Sequence, residues 1–121
     1  MFAQFLLVAL GSALGGAARY GVNLAFIGSS TRLPTLATLV VNAVGGLFIG
    51  LLAGLLPLNS ERLGLLLMTG FCGGFTTFSA FSLEMNELAS TGEWIGFGAM
   101  ILLNLSLAIG GCRIGLLIVR G

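Results

Sequence analysis

Apolar residues run through this chain in four long blocks, and polar residues gather in short breaks between them. The first block extends from Phe2 to about Ile27, with Arg19 and Tyr20 toward its far end. A break, GSSTRLP (28–34), follows, and Pro34 suits the first turn of the next helix. The second block, Thr35–Leu56, has 22 residues and no charge, enough to cross about 30 Å of hydrocarbon as a helix. PLNSER (57–62) then turns the chain, with Asn59 or Ser60 as the expected N-cap. A third block spans about 63–90. After TGE (91–93), Trp94 marks an interface and a fourth block continues to Val119, where Arg113 and Arg120 can snorkel. The pattern predicts an all-α membrane protein: one four-span domain over residues 1–121, with spans near 2–27, 35–56, 63–90 and 94–119.

Composition agrees. Hydrophobic residues make up 57% of the 121, and only 7% are charged, against roughly a quarter in a soluble domain. The charges are five arginines and four glutamates, with no histidine. A net charge of +1 leaves no basic stripe for nucleic acid. Without His or Asp, hydrolytic metal sites and serine-type catalytic sites lack their usual parts, so the chain does not read as an enzyme. Cys72 and Cys112 lie in different blocks without ligand spacing and read as packing residues. The opening MFAQFLLVALG has no basic n-region and does not read as a secretory signal.

An even number of spans puts both termini on one side. Arg62, Arg120 and Arg113 then share it, against Arg32 and Arg19 on the other. So small an imbalance permits insertion in both orientations, and hence an antiparallel dimer. Glycines recur at i, i+4 (Gly11/Gly15, Gly46/Gly50/Gly54, Gly70/Gly74 and Gly111/Gly115), a spacing that lets helices approach closely in lipid.

The segment GFCGGFTTFSAFSLE (70–84) asks for more than close packing. Gly73 and Gly74 lower the cost of leaving helical dihedrals, and Thr76 or Thr77 can satisfy freed backbone groups. A helix interrupted in mid-membrane exposes carbonyls to a cation and the N–H groups of the restarted helix to an anion. Phe78 and Phe81, three apart, share a face of that helix, and a ring edge carries partial positive charge. From the residues alone, core aromatics and anion-contacting rings both fit. The polar residues Thr38, Asn42 and Asn104 need partners inside the bundle, although a lone hydroxyl can also bond its own helix one turn back.

GGFTTFSAFSLE (73–84) resembles the signature of the Fluc (CrcB) fluoride ion channel family. GSALGGAARY (11–20), TLVVNAVGGLFIG (38–50) and a fourth span containing Asn104 extend the resemblance over nearly the whole chain. It implies a dual-topology antiparallel dimer in the inner membrane, with four transmembrane helices per subunit and the third broken mid-membrane. Two fluoride pathways would export F⁻ passively. By motif position, it implies Phe78 and Phe81 as the aromatic contacts, Asn42 as an amide donor and Thr38 as a pathway hydroxyl. Asn104 stands on the fourth-span polar track, and Arg19 is either an attractor of anions near the mouth or a snorkelling anchor. A structural Na⁺ at the dimer centre would be held by the backbone carbonyls of Gly73 and Thr76. Glu84 matches an acidic position with either a network role or direct anion handling. One departure stands out: Met100 and Ala108 flank Asn104 where the family often carries hydroxyls. That thinner track leaves open a weakly conducting subunit that works with a paralogous partner. A small multidrug-type antiporter, also four spans, wants a carboxylate in the first span, and Phe2–Ala18 has none.

Overall fold

The computed structural model describes residues 1–27 and 34–121, and all regular structure there is helical. The elements are α1 (Phe2–Ile27), α2 (Pro34–Leu55), α3 (Glu61–Leu63), a π-helix π1 (Gly64–Cys72), α4 (Gly73–Phe75), α5 (Ser79–Ser90) and α6 (Trp94–Arg120). The run from α3 to α5 makes one 30-residue span, Glu61–Ser90. The described residues thus hold four helices long and apolar enough to cross a membrane, the architecture of a multi-pass membrane protein. The expected turn at 28–33, Arg32 included, lies outside the described residues; Pro34 opens α2, where its missing N–H costs nothing.

The other two connections follow local chemistry to different degrees. Ser60 stands at the cap position of α3 but makes no side-chain cap bond. At 91–93, Gly92 takes φ 77°, its N–H donates to the Ala89 carbonyl, and the Glu93 N–H donates to that of Leu88. This is a Schellman stop, and the left-handed position is why a glycine sits there.

Glycines sort the spans into two tight pairs. A methyl group on Gly11 would meet the Leu66 carbonyl and the Gly70 Cα; one on Gly15 would meet the Phe71 carbonyl. The third span answers with Gly74, against the backbone of Ser12 and Gly16. In the second pair, Gly46 and Gly50 of α2 face the carbonyls of Ala108 and Cys112, while Gly111 and Gly115 of α6 abut Ala43 and Leu47. In lipid, where burial of apolar surface drives no association between helices, such backbone-to-backbone contact supplies much of the cohesion.

Within each pair the chains run parallel, since rising numbers in one meet rising numbers in the other. Gln4 Nε2 donates to Glu61 Oε1 at 2.9 Å, and Arg120 Nη2 donates to the Ala53 carbonyl at 3.2 Å. Both termini therefore gather at the end of the bundle that holds Arg62 and Arg120. Between the pairs the bonding changes character. α2 reaches the third span through side-chain hydrogen bonds and a ring contact, Phe48 on Phe71 at 5.9 Å.

The third span departs from plain α geometry over its first half. In π1 the winding is wide, so the Gly73 N–H reaches the Met68 carbonyl, five residues back, as well as that of Gly70. Such winding clusters at functional sites and is usually a single turn. Here it covers nine residues and leads directly into α4. Then Thr76 takes φ −82°, ψ 161°, an extended conformation, and helical structure resumes at Ser79.

Candidate functional site

Thr76, Thr77 and Phe78 lie between α4 and α5, and their backbone cannot complete a helical ladder there. Any polar group left bare in the apolar interior costs kilocalories, so the partners must come from elsewhere. The Thr76 N–H keeps the Cys72 carbonyl and the Phe78 carbonyl accepts the Ser82 N–H, while Asn42 supplies the partners of Thr77. Its Oδ1 accepts the Thr77 N–H at 2.9 Å, and its Nδ2 donates to the Thr77 carbonyl at 3.1 Å. The primary amide of α2 thus matches the backbone amide of Thr77 on both sides, as a neighbouring strand would. The second Nδ2 hydrogen goes to Asn104 Oδ1 at 3.0 Å, and Asn104 Nδ2 donates to its own helix at Met100, 2.9 Å. Thr77 Oγ1 in turn accepts the Ala80 N–H at 3.1 Å and so caps α5.

These bonds redirect the donors that would have covered carbonyls in a continuous helix. The Thr77 N–H points at Asn42 rather than Gly73, and the Ala80 N–H points at Thr77 Oγ1 rather than Thr76. The carbonyls of Gly73 and Thr76 are thereby released, and both residues line a cavity. Their chemistry fits a hard cation such as Na⁺, which takes neutral oxygen donors readily. The Gly74 carbonyl accepts Arg19 Nε at 3.2 Å. Cys72 O keeps its helical partner, the Thr76 N–H, and also accepts Thr76 Oγ1 at 2.9 Å.

The cavity is open-sided, has a volume of about 640 Å³, and runs along one face of α6 beside α2 and the third span. Of the residues singled out in the sequence, Asn42, Phe78, Phe81, Asn104, Gly73 and Thr76 share it. Thr38 and Arg19 do not line it. Thr38 is buried and donates through Oγ1 to Glu84 Oε1 at 2.7 Å, which makes both residues part of an α2–α5 link. Arg19 reaches the Gly74 carbonyl rather than an open mouth.

The two rings have unlike surroundings. Phe78 precedes α5 and is 74% exposed, whereas Phe81 is 8% exposed and set into the bundle. Their centroids are 5.7 Å apart with planes inclined at 50°, so the edges do not point the same way. Walls that are almost wholly apolar surround a few amide and carbonyl dipoles here. A small ion in such a place would meet few partners, each at a fixed position.

Residues 6–116 match the family model described as CrcB-like protein, Camphor Resistance (CrcB). The chain is 46% identical over 118 residues to the fluoride-specific ion channel FluC of Paracoccus denitrificans, covering 97% of this chain and 94% of that one. It is 41% identical over 120 residues to the protein of the same name from Coxiella burnetii, covering 95% and 96% of the two chains. With the Cereibacter sphaeroides protein of that name it shares 39% over 121 residues, covering 100% and 98%. By the extent of these matches, and with the motif of the third span set where its backbone leaves the helix, the chain belongs to the CrcB family.

Proposed function

We propose that this chain is the subunit of a fluoride-selective ion channel that lets F⁻ leave the cell down its electrochemical gradient. Its relatives carry that function in their names. The observation that carries the reading is the arrangement at Thr76–Phe78. There, an extended stretch held by Asn42 puts released carbonyls, the Asn104 amide and two phenyl rings on one apolar cavity near the midpoint of a 30-residue span.

Fluoride crosses membranes inward as neutral HF and dissociates in a near-neutral cytoplasm, so a passive anion leak in the inner membrane removes it. Selectivity arises because a narrow route with few donors compensates the hydration of a small hard anion better than that of chloride. Phe78 and Phe81 present ring edges, Asn104 keeps one Nδ2 hydrogen uncommitted among the described residues, Asn42 lines the route while holding Thr77 and Asn104 in place, and none of these carries a fixed charge that would trap the ion. Thr38, through Glu84, holds α5 against α2 beside the route. Arg19 ties α1 to the interruption, which lies mid-membrane in this reading.

The functional unit is an antiparallel, dual-topology dimer. The bare Phe78 ring and the open side of the cavity support a second copy as the missing wall. In that unit the Gly73 and Thr76 carbonyls of both copies would hold one Na⁺, which supplies a fixed positive charge that joins the subunits. The decisive variants are Phe78→Ile and Phe81→Ile. Each is expected to suppress fluoride efflux from proteoliposomes while dimers still elute intact. Undiminished efflux in both would remove the rings from the mechanism. Reporters on the termini that signal from one compartment alone would reject dual insertion.

A further inference from the structure

Among the residues lining the cavity, Arg113 is the one charged side chain, and the mechanism above does not use it. It stands seven residues before Arg120 on α6, about 10 Å deeper at 1.5 Å per residue. A guanidinium at such depth is expensive unless it meets water, an anion or a partner. Arg19 and Arg120 each donate to a backbone carbonyl, but Arg113 makes no such bond among the described residues and is exposed.

The positions along α6 give Arg113 a direction. Asn104, Leu105, Ala108, Ile109, Cys112 and Arg113 fall on one cavity-facing stripe, with Asn104 toward the phenyl rings and Arg113 toward the end that holds the termini. We propose that Arg113 is the anion-recruiting residue of this channel: it concentrates small hydrated anions in the cavity before they are stripped at Phe78 and Phe81. This rests on the channel reading given above. A single charge about two and a half turns along α6 from Asn104 raises local anion concentration without becoming a binding step. Its effect belongs to the low-salt regime and fades as the screening length falls below the distance involved.

The test is fluoride efflux from liposomes containing the full chain, at low and at high concentrations of an impermeant salt. Arg113→Gln is expected to slow efflux about three- to fivefold at low salt and hardly at all at high salt. Arg113→Lys should retain most of the rate, and Arg120→Gln should behave like the parent. Size-exclusion elution reports whether each variant still assembles. Equal efflux by parent and Arg113→Gln at low salt overturns the proposal. So does an equal loss in Arg113→Gln and Arg113→Lys that salt does not alter, because the side chain then acts through packing or a subunit contact. A parent protein that moves no fluoride would instead refute the channel reading itself.

Discussion

Replacing Asn42 with alanine is the sharpest perturbation of the site, because one side chain makes three hydrogen bonds between elements: two to the backbone of Thr77 and one to Asn104. The substitution leaves the Thr77 N–H, the Thr77 carbonyl and Asn104 Oδ1 to find other partners. Interhelical hydrogen bonds in membrane proteins average about 0.6 kcal/mol and reach about 1.7. Three of them together give a loss of about 2 kcal/mol at the average and about 5 at the upper bound. The cavity beside Asn42 admits water to part of the wound, so the lower figure is expected: about 2 kcal/mol, a roughly thirtyfold shift in the unfolding constant. Steric-trap unfolding in bicelles measures it. Asn86→Ala is the control, since among the described residues Asn86 bonds only its own helix, at Ser82, and should stay within about 0.5 kcal/mol of the parent. A double-mutant cycle between Asn42→Ala and Asn104→Ala should return a coupling of about 0.6–1.7 kcal/mol for their shared bond. Fluoride efflux by Asn42→Ala should fall as well, because Thr77 then loses the partner that keeps it extended. An Asn42→Ala protein as stable and as active as the parent would refute the assignment of the interruption to this amide.

Other expectations follow from the same geometry. Gly15→Val forces a side chain into the Phe71 carbonyl and should cost about 1–3 kcal/mol or prevent assembly, while Gly110→Ala, with nothing within 4 Å, should be neutral in the same unfolding assay. Phe81→Ile should lower stability measurably, and Phe78→Ile should not, since only Phe81 is buried in the subunit. Arg19→Gln removes a charge-assisted donor from the Gly74 carbonyl and should destabilise by about 1.5 kcal/mol or more in bicelles. A water-soluble thiol reagent should label Cys112, which is half-buried, faster than Cys72, which lines the same cavity but is 2% exposed; equal rates would contradict the burial of Cys72.

Much of this was legible in the residues, for reasons that differ from feature to feature. Span number follows from the lengths of the apolar runs, which the bilayer thickness fixes. That Asn42 and Asn104 needed partners was readable too, since an amide in an apolar span cannot stay bare. Their mutual bond was not, because glycine spacing tells that helices approach closely and not which ones. The pairing of α1 with the third span, and of α2 with α6, is decided by three-dimensional fit. Nothing in GLLLMTGFC distinguishes a π winding from an α one, as both satisfy the same apolar pattern. Arg19 offered two readings, mouth or anchor, and the structure supplies a third, a bond to the carbonyl of Gly74. Phe78 and Phe81 looked equivalent at a spacing of three. They differ because Phe78 precedes the first turn of α5, outside the packing that buries Phe81.

The central claim is that this chain conducts fluoride and discriminates against a larger halide. The direct test is efflux from proteoliposomes containing only this protein, followed with a fluoride-selective electrode and, in parallel, a chloride electrode. Rapid fluoride release with chloride retained is the predicted result. Chloride leaving as fast as fluoride, or neither ion leaving, would contradict it.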